Sequence, residues 1–188
     1  MKKYQDTNLK KYLDDLAAKL PAPGGGSAAA LTAALGASLV SMVVSFTLGK
    51  PRYAQYEKEL QVTLGKSERL RAEFLNLVDL DVAAYRSKNL RDALDVPFMV
   101  CRLCFEGMKL LPVLIKKGNV NLISDVAVAA ALLESAFASA YFNVEINLKS
   151  LNDKKLSARI RNELSNKQKT IKKIRLDTEV KVGKIIRG

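Results

Sequence analysis

An all-α protein, built as an antiparallel up-and-down bundle of about six helices, is what this sequence predicts, and three observations predict it. Strand signals are almost absent. Apolar residues recur at helical spacing over long stretches, and those stretches are broken only by short Gly, Pro and Asn punctuation. No internal repeat is visible, so short connections point to a bundle rather than a solenoid. At 188 residues with no internal linker, the chain is expected to form one helical domain over residues 1–188.

The first helix is expected from about Asn8 to Lys19, with Leu9, Tyr12, Leu13 and Leu16 on one side and Thr7 as its cap. The second is the least usual part of the chain. Residues 20–49 carry no formal charge in a chain that is 27% charged. The stretch opens with Pro21-Ala22-Pro23-Gly24-Gly25-Gly26-Ser27, which cannot continue a helix, so a helix is expected to start there with Ser27 as its cap. Ala29, Ala33, Ala37, Ser41 and Ser45 recur every fourth residue and permit close helix approach. Pro51 suits the first turn of a long third helix reaching about Asn89, with Gly65 as a potential bend. A fourth starts near Pro97, and Pro112 predicts a kink or break before Gly118. The fifth runs from about Ser124-Asp125 to Leu151. The last is amphipathic and basic, with Leu156, Ile160, Leu164, Ile171, Ile174, Val182 and Ile185 in helical register.

Charge is concentrated in that last helix. Residues 149–188 hold thirteen Lys and Arg against four Asp and Glu, nine of the net +12. Such a face is either a solvated exterior or a field that attracts acidic substrates, nucleic acid or an anionic surface. No RNP aromatics, recognition-helix turn or zinc finger accompany it, so nucleic acid is not expected as a partner. The uncharged second helix is long enough to span a bilayer, but its hydroxyls and small residues and the lack of an aromatic belt favour a buried central helix, and no membrane partner is expected. Cys101 and Cys104 form a lone C-x-x-C in an apolar run, read as helix packing rather than as a metal or redox pair. With an amphipathic N-terminus in place of a secretory leader, a cytoplasmic location is expected.

The chain contains no histidine, so acid–base work falls to carboxylates, lysines, tyrosines or backbone dipoles. Asp79 and Asp81 point about 200° apart around their helix, so at most one faces solvent comfortably. An inward Asp81 has a raised pKa and can move a proton; an exposed Asp81 is the alternative. The Pro23, Gly24, Gly25, Gly26 and Ser27 segment is either a tight turn before a buried helix or a helix start whose bare N–H groups meet an anion or a polarised carbonyl. Asp125 reads as an N-cap or as a functional acid. Asn143 and Asn147, one turn apart, either bond neighbouring helices or read the amide edge of a flat heterocycle.

These residues together resemble the cyclodeaminase domain of the formiminotransferase-cyclodeaminase family and its small methenyltetrahydrofolate cyclohydrolase relatives. The likeness rests on Pro21 to Ser27, on Gly49-Lys50 with Tyr53, on Asp81, on Ser124-Asp125, and on Asn143 to Leu148 followed by Asp153, and covers about residues 8 to 180. It implies a homodimer that binds a tetrahydrofolate derivative, including polyglutamylated forms, as substrate, with no metal and no tightly bound cofactor. Two activities are implied: cyclodeamination of 5-formiminotetrahydrofolate to 5,10-methenyltetrahydrofolate and ammonia, or interconversion of the methenyl and 10-formyl forms. Within that reading Asp81 or Asp125 is expected to transfer protons, with Lys50 supporting a charged intermediate or a substrate carboxylate. Pro23, Gly24, Gly25, Gly26, Ser27, Tyr53, Ser124, Asn143 and Asn147 are expected to bind the substrate, the loop by its backbone donors and the asparagines by orienting the pterin, roles that the resemblance does not itself assign. About seven residues precede the first helix, so any transferase is expected as a separate protein. The competing class is a non-catalytic helical protein that binds folate, or nucleic acid through its tail.

Overall fold

The computed structural model describes residues 3–188; Met1 and Lys2, which open the stretch expected to carry no leader, lie outside them. Among the described residues there are seven α-helices, α1 (Leu9–Ala17), α2 (Gly25–Ser45), α3 (Glu57–Ser87), α4 (Leu90–Met108), α5 (Leu111–Lys117), α6 (Ile123–Leu151) and α7 (Lys154–Arg187), and no strand. The seventh arises at the break that Pro112 predicts: the chain turns at Lys109 and Leu110, and Pro112 takes the first turn of α5. Short 3₁₀ turns at Tyr4–Asp6, Pro51–Tyr56 and Val120–Leu122 fill the connections.

α2 sits against α3 and α6 and touches α4, the place its lack of charge foretells. Its ridge of Ala29, Ala33, Ala37 and Ser41 is buried, while Ser45 is exposed. The pairings are antiparallel. Ser27 meets Val78 near one end of the α2–α3 contact, and the Ser41 hydroxyl donates to Ser67 Oγ at 2.8 Å further along. Gly36 of α2 lies against Leu133 of α6, and Gly25 against Asn143. α6 then pairs with α7 through Glu134–Arg175 and Glu145–Arg161.

Leu133 is fully buried in a slot between Gly36 and Gly107, and a Cβ added at Gly36 would stand 2.9 Å from Leu133 Cγ. Gly36→Ala should therefore cost about 1–3 kcal/mol by overpacking, and Leu133→Ala about 2–5 kcal/mol by leaving a cavity. Because the new methyl enters the space the leucine vacates, the double variant should lose less than the sum of the two in urea unfolding. Additive losses would disprove the slot.

Several local expectations change. Asn8, not Thr7, caps α1, its Oδ1 accepting from Lys11 N–H; the Thr7 hydroxyl turns back to the Tyr4 carbonyl. Of the four apolar α1 residues only Tyr12 is buried, and Leu9 and Leu13 are exposed. Gly24 is the N-cap of α2, so Ser27 is already inside the helix. α3 runs unbroken through Gly65. α4 begins seven residues before Pro97, because Asn89 supplies a cap whose Oδ1 accepts from Arg91 N–H at 2.9 Å. Leu122 is the N-cap position of α6, and Asp125 makes no capping bond.

α1 stops at Ala17, short of Lys19, and Pro51 opens a 3₁₀ turn, so that α3 begins only at Glu57. The basic helix and the cysteines sit as expected. α7 docks by Ile160, Leu164, Ile171 and Val182, with Asp153 capping its start; Ile185 stays exposed. Cys101 and Cys104 are free, buried core thiols, and burial pushes both thiols up, beyond the range in which they ionise.

Candidate active site

The glycine segment and Asp81 meet at one end of the bundle. Ala22–Pro23 is a cis peptide, and both residues are buried. Gly24 then starts α2 with no side-chain cap, so the first-turn N–H groups need other partners. Asp81, reaching across from α3, supplies one: its Oδ2 accepts from Ser27 N–H at 2.9 Å. The contact is tight, since a Cβ built at Gly26 would fall 2.1 Å from Asp81 Oδ1 and 2.8 Å from its Cγ. The third glycine is therefore the space the carboxylate occupies. Burial raises the Asp81 pKa, and the Ser27 N–H bond opposes that only in part.

Ser27, though not the cap, is a linchpin. Its hydroxyl donates to the Val78 carbonyl at 3.0 Å and lies 3.2 Å from the Tyr12 hydroxyl, which ties α1 to the α2–α3 contact. Sequence reasoning treated Tyr12 only as an apolar residue; its hydroxyl, facing a helix start, was the available signal. Asp79 settles the other half of the aspartate pair. It accepts from Tyr4 N–H at 2.6 Å and Gln5 N–H at 3.3 Å, holding the N-terminal 3₁₀ turn over this end. Neither aspartate is left to bulk solvent alone.

The two asparagines separate in role. Asn143 lies beside Gly25, whose Cβ would stand 3.5 Å from its Nδ2, and that amide donates to Ser139 O. Asn147 donates to Ala93 O at 2.5 Å, and so bonds α6 to α4, which is the structural alternative.

The other predicted residues gather at the opposite end of α2. Lys50 is exposed, with no ion pair among the described residues, next to Gly49 in the left-handed region at φ 73°. Tyr53 is buried, and its hydroxyl accepts from Val120 N–H at 3.2 Å. Asn119, which sequence reasoning read only as loop punctuation, joins the two loops: its N–H donates to Thr47 Oγ1 at 2.9 Å and its amide to Phe46 O at 3.2 Å. Ser124 (exposed) and Asp125 (half-buried) follow in the first turn of α6. The 21 residues of α2 separate the two groups, about 30 Å at 1.5 Å per residue. Within one chain, Asp81 and Asp125 cannot share a substrate atom. Among the described residues no three His, Cys, Asp or Glu side chains gather as a metal site.

Known proteins carry the same architecture. Residues 8–88 and 86–166 match the family described as Formiminotransferase-cyclodeaminase. A methenyltetrahydrofolate cyclohydrolase of Methylorubrum extorquens is 37% identical, the alignment covering 78% of this chain and 81% of that protein. The formimidoyltransferase-cyclodeaminase of Rattus norvegicus is 30% identical over 86% of this chain but only 34% of its own length, so the chain spans about a third of that relative. The crystal structure of a formiminotetrahydrofolate cyclodeaminase from Thermotoga maritima superposes with a TM-score of 0.92 and 28% identity, covering 97% of this chain and 98% of that one. Fold and relatives define a helical enzyme of folate one-carbon chemistry, in the cyclodeaminase or cyclohydrolase class. The chain belongs to the formiminotransferase-cyclodeaminase family.

Proposed function

We propose that this protein is a formiminotetrahydrofolate cyclodeaminase, converting 5-formiminotetrahydrofolate to 5,10-methenyltetrahydrofolate and ammonia, with Asp81 as the proton-transfer group. The observation that carries the assignment is the carboxylate of Asp81, withdrawn from water, raised in pKa and fixed against the glycine start of α2. In the reaction, N10 attacks the carbon of the protonated formimino group. Asp81 takes the N10 proton and returns it to the exocyclic nitrogen. The carbon–nitrogen bond then breaks, ammonia leaves, and the positive charge stays on the methenyl bridge. One carboxylate with a raised pKa serves both transfers, because it accepts readily and gives the proton back readily. Gly24, Gly25 and Asn143 frame the approach to it, and Asn147 holds α6 on α4 behind them.

The 37% identity to a cyclohydrolase favours a second reading at the same site. There Asp81 takes one proton from water attacking the methenyl carbon and gives it to N5 as the ring opens, the remaining hydroxyl proton passing to solvent as the 10-formyl carbonyl forms. The enzyme is read as a homodimer of the cytoplasm, where unpaired Cys101 and Cys104 stay reduced. It requires no metal or bound cofactor, and neither nucleic acid nor membrane is its partner. The outward lysines and arginines of α7 attract polyglutamylated folate.

Absorbance of the methenyl product, followed from 5-formiminotetrahydrofolate and, separately, against the 10-formyl form, tests both readings. Turnover of the first substrate is expected, and turnover of the second alone would replace the first reading by the other. With a polyglutamylated substrate KM should rise as salt increases, more than for the monoglutamate; equal sensitivity would remove the role of α7.

A further inference from the structure

On α3 one line of residues faces α2: Leu60, Ser67, Phe74, Val78, Asp81 and Tyr85, spaced by seven, seven, four, three and four positions. Ser67 meets Ser41 of α2 on this line, and Val78 and Asp81 meet Ser27. Leu60, Ser67, Phe74 and Val78 are buried, as an inward stripe requires. Tyr85 is 59% exposed. The difference lies in α2, which begins at Gly25 and has no turn left to cover the position one turn beyond Asp81. A tyrosine on the inward side of α3 therefore overhangs the end of the bundle, beside the carboxylate. Among the described residues its hydroxyl makes no hydrogen bond, and no other aromatic ring packs on its own.

A folate carries its one-carbon unit between two flat ring systems. N5 belongs to the pterin, whereas N10 is bonded directly to the aminobenzoyl ring, which bears the glutamate. The glutamate has to reach water, so the aminobenzoyl ring belongs on the open side of the carboxylate, where Tyr85 stands. Asn143, beside Gly25 on the α6 side, is left to the pterin. Tyr85 lies about 6 Å along α3 from Asp81, at 1.5 Å per residue. A carboxylate that reaches N10 thus has Tyr85 against the ring that N10 carries. We propose that Tyr85 is the stacking platform for the aminobenzoyl ring of the substrate, and that this contact makes the enzyme select folates over pterins lacking the ring. Aromatic pairs favour such offset stacking, and the tyrosine needs no rearrangement of the core to offer its face. The proposal rests on the folate reading above and applies to either of its two reactions.

Calorimetric titration reads the contact without turnover. One probe is 5-methyltetrahydrofolate, whose methyl group cannot close onto N10; the other is 6-methyltetrahydropterin, which has no aminobenzoyl ring. Tyr85→Ala should weaken binding of the folate about three- to tenfold and leave binding of the pterin unchanged. In the methenyl-folate assay KM should rise by the same factor with little change in kcat, because the stack is made in ground state and transition state alike. Tyr85→Phe keeps the ring and loses only the hydroxyl, so it should match the wild type in every measurement. The folate-to-pterin ratio is taken within one protein, so a partial loss of folding in a variant leaves it unmoved. Unchanged folate binding by Tyr85→Ala, an equal loss for folate and pterin, or a phenylalanine variant as weak as the alanine one each overturn the proposal. If the wild type binds and turns over folate while the alanine variant keeps its ratio, only the role of Tyr85 falls. A wild type that neither binds nor turns over folate removes the folate reading, and this proposal with it.

Discussion

Asp81→Asn should abolish turnover while making the protein more stable. The amide keeps the shape and still accepts from Ser27 N–H, so the contact at 2.9 Å survives, but it cannot take a proton from N10. A loss of about 10²–10⁴-fold in kcat is the scale for removing a general acid–base group, with little change in KM. The sign of the stability change follows from linkage. The folded-state pKa of Asp81 is raised, so the native protein binds this proton more tightly than the unfolded chain does. The stability this lends is fully present at pH below the unfolded value and is lost as pH rises through the folded one, leaving a buried charge as a burden at neutral pH. The asparagine variant escapes that burden. Its melting temperature should exceed that of the wild type near neutrality, and the advantage should vanish in acid. The wild-type rate should climb with pH through the same raised pKa, a limb missing from the residual activity of the variant. A variant less stable than wild type at neutral pH would mean that the carboxylate is not desolvated.

Gly26→Ala is the second severe change, and it separates position from chemistry. The added methyl would stand 2.1 Å from Asp81 Oδ1, a distance no relaxation of the backbone absorbs, so the carboxylate must swing out. Alanine gains about 0.8–1 kcal/mol of helix propensity over glycine, which offsets the lost Ser27 N–H bond of about 1.5–3 kcal/mol in part. The fold should therefore survive with a modest loss of stability while turnover falls about 10²-fold or more. Gly65→Ala is the control. A Cβ there meets nothing within 4 Å, so the variant should gain about 0.5–1 kcal/mol with unchanged kcat. Should Gly26→Ala retain full turnover in the methenyl-folate assay, Asp81 is not held where the reaction needs it.

Much of the bundle was legible in the chain. The uncharged stretch from Leu20 to Gly49 had to be surrounded, and α2 is; the apolar register of the basic helix marked which side of α7 docks. Local errors fell where a cap or a proline was judged without its surroundings. Pro97 read as a start, yet Asn89 offered a better cap earlier and the buried face of α4 outweighed the proline's missing N–H. Ser27 read as a cap, yet its hydroxyl found the Val78 carbonyl, and Gly24 left the cap position bare.

By itself the sequence determined that the chain is helical, where its central helix lies, and that any acid–base chemistry must do without histidine, because periodicity, charge and residue inventory are local properties. Only the tertiary structure decided which aspartate meets the glycine start of α2. Asp79 and Asp81 differ by two positions on one helix, and what turned one toward the N-terminal turn and the other onto the glycines was the packing of α3 on α2 and on the 3₁₀ turn Tyr4–Asp6. It also set Asp125 and Lys50 about 30 Å away along α2, since an antiparallel pairing sends residues close in motif order to opposite ends of a bundle. Direction along a partner helix is a long-range fact, and no spacing within one segment encodes it.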